Sequence, residues 1–287
     1  VTDLQGHSCT LALFLAGKAA GRPHTLFDDR HYLRQRGYVE GSVLPLVHFL
    51  TEGAQQATSP HPLIDLRRFG PDPQAAILHY VSKEAPDAAE PAPCPLFDPR
   101  YFCKGNVHAW RGAAPNLLWA HLIEGSRRFT DPHPLISTDH MARAQEEVLR
   151  DTRTVLELIV ARKLVGETHP LVRSTYIDRQ APWLSSTGQH PTQYFIEYGV
   201  AHNIDPHPYF STQYYLYNNQ DVLQSGTNPL VHYLTSGQFE GRLPHPFFDG
   251  NHYYRAWMQG RPDVRHGPLV DYASQGAGAF RHVQPTD

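Results

Sequence analysis

The sequence repeats itself about every 37 residues, and this repetition constrains the fold more than any other feature. Seven dipeptides mark the repeats: His24-Thr25, His61-Pro62, Cys94-Pro95, His133-Pro134, His169-Pro170, His207-Pro208 and His245-Pro246. Two apolar residues follow each marker. A period between about 20 and 50 residues is typical of repeat proteins, in which each unit is too small to bury its own apolar face. The sequence therefore predicts a tandem array of about seven units.

The residues after each apolar pair predict the start of a first helix, helix A, in every unit. The next residue suits a helix N-cap in six units, because a short side-chain oxygen can accept a backbone N–H of the first turn. These positions are Asp28, Asp65, Asp98, Ser137, Arg173, Ser211 and Asp249, with Arg173 as the exception. A hydrophobic staple then requires an apolar residue at the fourth helical position. All seven units have one: Tyr32, Phe69, Phe102, Met141, Ile177, Tyr215 and Tyr253.

A second helix, helix B, is indicated by a proline followed by a glycine eight residues later. Four units have this pair: Pro45–Gly53, Pro191–Gly199, Pro229–Gly237 and Pro268–Gly276. Proline is tolerated at the first helical position, and glycine suits the left-handed residue that ends a helix. The pair Pro115–Gly125 is two residues further apart. The segment around 152–161 lacks both residues, so TVLELIVARKLV (154–165) is predicted to form a longer helix.

The most regular unit, residues 207–244, combines these signals. Helix A is expected over Thr212–Asn218, a turn around Asn219–Gly226 and helix B over Pro229–Ser236. Helices of about eight to ten residues are marginal in water, so each must bury its apolar stripe against neighbouring units. The predicted fold is therefore all-α, a helical-repeat solenoid of about seven two-helix units.

The repeats differ in regularity along the chain, which suggests four segments. Residues 1–23 match the second half of a unit, and residues 24–135 hold the N-terminal repeats. Residues 136–205 are divergent, and residues 206–287 hold the regular C-terminal repeats. Because the first match begins within a unit, we expect this chain to be part of a longer polypeptide.

Charge and hydropathy patterning argue against nucleic-acid-binding and membrane-spanning classes. The net charge is −3 and the longest basic run is Arg127-Arg128, whereas nucleic-acid binding needs a clustered basic surface. The longest apolar run lies within Cys9–Gly17, far below the roughly 20 residues that span a bilayer. Of the three cysteines, Cys9, Cys94 and Cys103, the last two either pair or remain two buried free thiols. The second interpretation is preferred.

The 19 histidines raise the hypothesis of a metal site, but their positions favour a structural role. Turns of adjacent units are expected about 10 Å apart, whereas zinc ligands converge within about 2.1 Å of one ion. A turn histidine is therefore expected to pack its ring and bond a backbone group. His48 and His232 share a helix B position that other units fill with Ala120, Tyr194 or Asp271, so they too are assigned a structural role.

The acidic residues and the motif content indicate no catalytic site. Four aspartates are accounted for as helix caps, and Asp221 and Asp263 are interpreted as turn residues that cap short segments. The sequence contains no GxSxG, HExxH, Walker or GxGxxG motif. We therefore predict no catalytic residue, no metal and no cofactor for this chain.

One segment carries a family resemblance. Residues 210–249, FSTQYYLYNNQDVLQSGTNPLVHYLTSGQFEGRLPHPFFD, resemble a repeat of bacterial proteins with the form FDxxYYLxxNPDVxxxGxNPLxHYLxxGxxEGRxPHPLFD. The resemblance is close over residues 205–255, partial over 22–65 and 93–135, and weak over 136–200. Such repeats are similar to those that flank glycosyltransferase domains in bacterial surface-polysaccharide enzymes, and to segments of some secreted, calcium-repeat-containing proteins. The resemblance implies an accessory role near glycan chemistry, without catalytic residues. We expect a cytoplasmic or membrane-peripheral location rather than a secreted one.

Three functional hypotheses follow. The first is a non-catalytic scaffold, an accessory region of a larger bacterial protein in cell-surface polysaccharide synthesis, with neighbouring domains or a protein as partner. The second is a carbohydrate-binding module that uses Tyr214, Tyr217, Tyr254 and Trp257, because steps of three residues place each pair on one helix face. The sequence favours core positions for these four side chains over exposed ones. The third is an enzyme with its site in the divergent centre, although a solvated helix face better explains the charged residues there: Glu146, Glu147, Arg150, Asp151, Arg153 and Glu157.

Overall fold

The computed structural model describes residues 26–36, 45–82, 88–105, 116–122, 130–144, 154–164, 166–261, 266–276 and 283. Over these residues the secondary structure is helical, with isolated β-bridges in place of strands, so the all-α prediction is confirmed there. The α-helices are Asp29–Arg36, Pro45–His48, Pro73–Ser82, Pro99–Gly105, Leu117–Ala120, Thr138–Ala144, Val155–Val160, Ser174–Gln180, Leu184–Thr187, Pro191–Tyr194, Thr212–Asn218, Gln220–Ser225, Pro229–His232, Gly250–Tyr253 and Pro268–Asp271. They are accompanied by a 3₁₀-helix, Leu66–Phe69, and by π-helical turns at Phe49–Gly53, Phe195–Gly199, Tyr233–Gly237, Tyr254–Met258 and Tyr272–Gly276.

The predicted N-caps begin helix A. A side-chain oxygen accepts a backbone N–H of the first turn at Asp28, Asp65, Asp98, Ser137, Ser211 and Asp249. Arg173, the exception in the sequence, makes no such bond. Six of the seven staple residues are buried. The seventh, Phe69, is half-buried in a unit whose helix A is a single 3₁₀ turn ended by Gly70, which has a φ of 100°.

Three units bury the same trio of aromatic rings between helix A and helix B. The trios are Phe27, Tyr32 and Phe49; Phe210, Tyr215 and Tyr233; and Phe248, Tyr253 and Tyr272. Within the middle trio the ring centroids lie 5.4 Å, 5.7 Å and 5.9 Å apart, in tilted and edge-to-face arrangements. Such contacts contribute roughly 0.5–1.5 kcal/mol per pair beyond the burial of apolar area. The staple residue of helix A is therefore the centre of the core in these three units.

Helix B has the predicted bounds, but the reason for its closing glycine differs from the one expected. Each proline-to-glycine segment is an α-helical turn that continues into a π-helical turn. Gly53 and Gly237 do not have the left-handed conformation predicted for them. A Cβ at either position would instead overlap the hydroxyl oxygen of Tyr32 or Tyr215, respectively. Glycine is required there by close packing, not by backbone conformation.

The most regular unit confirms both predicted helices and corrects the segment between them. Helix A is Thr212–Asn218 and helix B begins at Pro229, as expected. Asn219–Gly226, expected to be a turn, contains a further helix, Gln220–Ser225. This helix buries one apolar residue, Val222, and so gives too little periodic signal to be predicted from sequence.

The segment 154–165, predicted as a longer helix, is helical only over Val155–Val160. Thr154 and Glu157 form a reciprocal capping box at its start. Arg162 has a φ of 52°, and a right-handed helix cannot continue through that conformation. The apolar pattern beyond the helix reflects burial in a loop, because Leu164 is buried without being helical.

One backbone hydrogen bond recurs within each unit and links its N-cap to a residue near its end. The N-cap residue donates its N–H to a carbonyl that, in six of the seven cases, directly precedes the next marker dipeptide. The pairs, at 2.8 to 3.0 Å, are Asp28–Pro60, Asp65–Pro93, Asp98–Pro132, Ser137–Thr168, Arg173–Pro206, Ser211–Pro244 and Asp249–Val283. Because this bond uses backbone atoms alone, it is present even where the preferred cap side chain is lost.

The turn histidines have the structural role predicted for them. Nδ1 of His61, His169, His207 and His245 accepts the backbone N–H two residues further on, at 3.1 to 3.2 Å. The carbonyl of each accepts the N–H three residues on, which closes a β-turn. The accepting nitrogen must be unprotonated. Burial favours that state, and it lowers the pKa of His133 to about 4 and that of His207 to about 3.

The chain also divides into two larger compact units, each of which contains several repeats. One comprises Val1–His133 with Leu149–Ala161, and the other comprises Pro134–Val148 with Arg162–Asp287. The second of these compact units has a continuous core that runs through the staple and helix B residues of successive repeats. None of the described helices combines the length and the hydropathy that spanning a bilayer requires.

Some sequence expectations fall on residues outside the described ranges. These are the expectations for the half-unit of residues 1–23, Cys9, the marker His24-Thr25, the Pro115–Gly125 pair, Asp263 and the charged residues of 146–153. The other two cysteines are described. Cys94 is buried, as expected, whereas Cys103 is half-buried.

Candidate functional site

Three of the four aromatic residues predicted as a binding platform are exposed. Tyr217, Tyr254 and Trp257 expose 78%, 47% and 38% of their surface, and Tyr214 is half-buried. The sequence favoured core positions for all four, and for the three exposed residues that preference is wrong. The staple tyrosine already fills the core side of helix A in both units, and such a short helix has no second buried face.

The fold brings one of these residues, Tyr254, into the wall of a cleft with a volume of about 410 Å³. The cleft lies between the end of helix B in one unit and helix A of the last unit. Its wall includes Gln238, Phe239, Arg242, Asn251, Tyr254 and Arg261. Tyr214, Tyr217 and Trp257 are not among the residues that line this cleft.

Local backbone geometry shapes this cleft. The π-helical turn Tyr233–Gly237 ends helix B, and the chain then turns at Gly241, whose φ is 74°. A side chain at residue 241 would be strained by this backbone conformation, although its Cβ would make only an ordinary contact, 3.5 Å, with Nδ2 of Asn251. Phe239 lies between these two points and exposes 77% of its surface.

Sequence reasoning missed Phe239 because this residue lies in the connecting segment QFEGR and not in a predicted helix. Comparison of the units with one another does single out this residue. The residues two positions after the closing glycine in other units are Gln55 and Ala201, and both are exposed. The architecture therefore does not require an aromatic ring at this position.

Carboxylates hold Arg242 in the cleft wall. Its two terminal nitrogens donate to Oδ1 and Oδ2 of Asp221, each at 2.8 Å, and Nε donates to Glu240 at 2.5 Å. Nη1 also donates to Oδ1 of Asn219 at 3.0 Å. The hydrogen-bonded guanidinium lowers the pKa of Asp221 to about 2. Asp221, predicted to cap a turn, therefore lies in the first turn of a helix and binds this arginine.

The second arginine, Arg261, is paired with a buried carboxylate. Its Nη1 lies 3.3 Å from Oδ1 of Asp271, and Tyr253 donates its hydroxyl to Oδ2 at 2.8 Å. Asp271 is the fourth residue of helix B. The same position in the preceding unit is His232, whose Nδ1 bonds the Tyr215 hydroxyl at 2.9 Å. Both arginines of the cleft are thus held by carboxylates that are not part of its described lining.

Other candidate chemistry finds structural explanations. In the divergent centre, Glu157 belongs to a capping box, and the other predicted charges lie outside the described ranges. His121 packs between the rings of Phe97 and Phe102, and burial lowers its pKa to about 3. The described residues contain no group of three or more His, Cys, Asp or Glu side chains that could hold a metal ion. No family model, curated protein or solved structure matches this chain.

Proposed function

We propose that this chain is a non-catalytic helical-repeat scaffold, built as a solenoid of about seven two-helix units. It acts as an accessory region of a larger bacterial protein in cell-surface polysaccharide synthesis, at a cytoplasmic or membrane-peripheral location. The observation that carries the proposal is the recurring backbone hydrogen bond at seven successive N-caps. In six of the seven units this bond holds the last residue before the next marker dipeptide beside the N-cap, so the units close in the same way. Units of one repeated local shape favour a solenoid.

The setting and the partner are inferred from two further observations. The resemblance of residues 205–255 to glycosyltransferase-flanking repeats suggests the polysaccharide context. The outer face of helix A in the C-terminal repeats carries exposed aromatic side chains, which suit contact with another surface. The expected partner is a neighbouring domain of the longer polypeptide or a separate protein.

The scaffold proposal is tested with the purified chain and with whatever domains flank it in the full-length gene product. We expect the chain to co-purify with those domains and to transfer or hydrolyse no sugar when it is incubated with nucleotide sugars and oligosaccharides. Chromatography of the reaction mixture detects the products of sugar transfer and of hydrolysis. Glycosyl transfer or hydrolysis by these 287 residues alone would refute the proposal.

A carbohydrate-binding module is the second candidate, and the exposure of Tyr217, Tyr254 and Trp257 favours it. Exposed rings offer flat apolar faces on which a sugar can pack. Replacing Tyr217 and Trp257 together by alanine should then abolish binding in an oligosaccharide screen without changing the far-UV circular dichroism. Trp183→Ala is the matched control, because this side chain is 51% exposed in another repeat. This candidate fails if the unaltered chain binds no glycan.

A further inference from the structure

The cleft beside Tyr254 has an apolar rim that the repeat architecture does not explain. Phe239, Tyr254 and Leu243 line it and expose 77%, 47% and 40% of their surfaces. Other units have the exposed non-aromatic residues Gln55 and Ala201 at the position of Phe239. The volume of about 410 Å³ lies within the range of small-molecule sites, roughly 300–1,000 Å³. The cleft is therefore of a suitable size for a small ligand that packs against rings.

Amide groups and an imidazole line the same cleft. Asn251 is exposed, and its amide can both donate and accept hydrogen bonds. Gln238 is fixed in the wall, because its Nε2 donates to the carbonyl of Leu234 at 2.6 Å and its amide oxygen packs against Gly267. His266 adds an imidazole. A ligand with several hydroxyl groups would find donors and acceptors beside the aromatic rim.

The charges around the cleft favour a neutral ligand over an anion. Arg242 donates to Asp221 and Glu240 through Nε and both terminal nitrogens. Arg261 pairs with the buried carboxylate of Asp271. An anionic ligand would have to compete with these carboxylates for the guanidinium N–H groups. A neutral polyhydroxyl ligand has no such competitor.

We propose that this cleft binds a neutral saccharide of one or two rings. The inference rests on the glycan-binding candidate above, and it specifies the site and the class of ligand. A sugar ring has an apolar face of C–H groups and an edge of hydroxyl groups. The face packs on Phe239 and Tyr254, and the hydroxyl edge bonds the amide of Asn251.

The test is isothermal titration calorimetry of the full chain with maltose, cellobiose and chitobiose as neutral probes and digalacturonate as an anionic probe. Phe239→Ala should weaken the affinity for a bound neutral probe about tenfold, because the ring is a main packing surface. Phe247→Ala is the matched control: its ring is 65% exposed and lies outside the described lining of the cleft. Because both rings are exposed, neither variant is expected to unfold the chain.

Two further measurements separate the possible outcomes. Asn251→Leu should also weaken binding, and the affinity of a neutral probe should be the same at low and high salt. The cleft inference is overturned, while the glycan candidate stands, if Phe239→Ala and Asn251→Leu bind normally but the paired Tyr217 and Trp257 replacement abolishes binding. The cleft inference is also overturned if digalacturonate binds and none of the neutral probes does. If no probe binds the unaltered chain, both the inference and the glycan candidate fail.

Discussion

Replacing Gly237 with alanine would put a methyl group where the Tyr215 hydroxyl lies. The new Cβ would overlap the hydroxyl oxygen, and it would lie 3.3 Å from both Cζ of Tyr215 and Nδ1 of His232. The tyrosine ring is fully buried, and its hydroxyl bonds His232 Nδ1 at 2.9 Å. The ring also packs against Phe210 and Tyr233, so moving it away from the new methyl group would disturb the core. The backbone itself would accept alanine, since Gly237 is not in the left-handed region.

Three contributions set the size of the effect of Gly237→Ala. Overpacking a buried site costs about 1–3 kcal/mol. Loss of the hydrogen bond costs about 1 kcal/mol, while exchange of a helical glycine for alanine gains up to about 1 kcal/mol. The free energy of unfolding should therefore fall by about 1–4 kcal/mol. Adding Tyr215→Phe should recover most of this loss, because the remaining ring carbon at 3.3 Å needs to shift by only a few tenths of an ångström.

Urea unfolding combined with hydrogen exchange over residues 212–237 measures this effect. The local measurement matters because the chain has two compact units, and one global midpoint need not report on both. Gly105→Ala is the control, since no heavy atom lies within 4 Å of its new methyl group and alanine should not destabilise that helix. The reasoning is refuted if Gly237→Ala is as stable as the unaltered chain. It is also refuted if the double variant loses the sum of the two single losses.

Three further predictions concern the caps and the turns. Asn228→Ala removes the acceptor for two backbone N–H groups at 3.0 and 3.3 Å and should cost about 1 kcal/mol in urea unfolding, whereas Asn228→Asp should cost much less. Thr154→Ala breaks the capping box with Glu157 and should cost a similar amount, about 1 kcal/mol, seen as faster hydrogen exchange over 155–160. The folded-state pKa of His207, about 3, lies below the unfolded value near 6.5, so the unfolded chain takes up the proton first. Stability should therefore decline from about pH 6.5 towards pH 3, by up to about 1.4 kcal/mol per pH unit for this histidine. His207→Asn keeps an acceptor for the turn and should reduce that slope, and urea midpoints that stay flat between pH 7 and pH 5 would contradict the prediction.

The sequence predicted the starts of the helices well because they depend on local interactions. The side chain of Ser211 caps a nitrogen three residues away, and Phe210 contacts Tyr215 within the same unit. The reason for Gly237 could not be predicted in this way, because its partner Tyr215 lies in another helix, 22 residues earlier. The candidate site shows the same difference between local and long-range interactions. Helical spacing pointed to Tyr254, but the cleft depends on how the segment with Phe239 packs against the next unit.

The hydroxyl of the staple tyrosine needs a hydrogen-bond partner on helix B. This need explains why the position holds histidine in some units and aspartate in the last one, where an arginine is paired as well. The hydroxyl pairs are Tyr32 with His48 at 2.7 Å, Tyr215 with His232 at 2.9 Å, and Tyr253 with Asp271 at 2.8 Å. A buried hydroxyl needs a partner, and an imidazole nitrogen or a carboxylate oxygen meets that need equally well. Where helix A supplies Ile177 there is no hydroxyl, and the position is free to hold Tyr194. Only the carboxylate of Asp271 has a second oxygen, which is the one that pairs with Arg261. The exchange of histidine for aspartate therefore leaves the core of the last unit intact and also fixes a guanidinium in the wall of the proposed saccharide cleft.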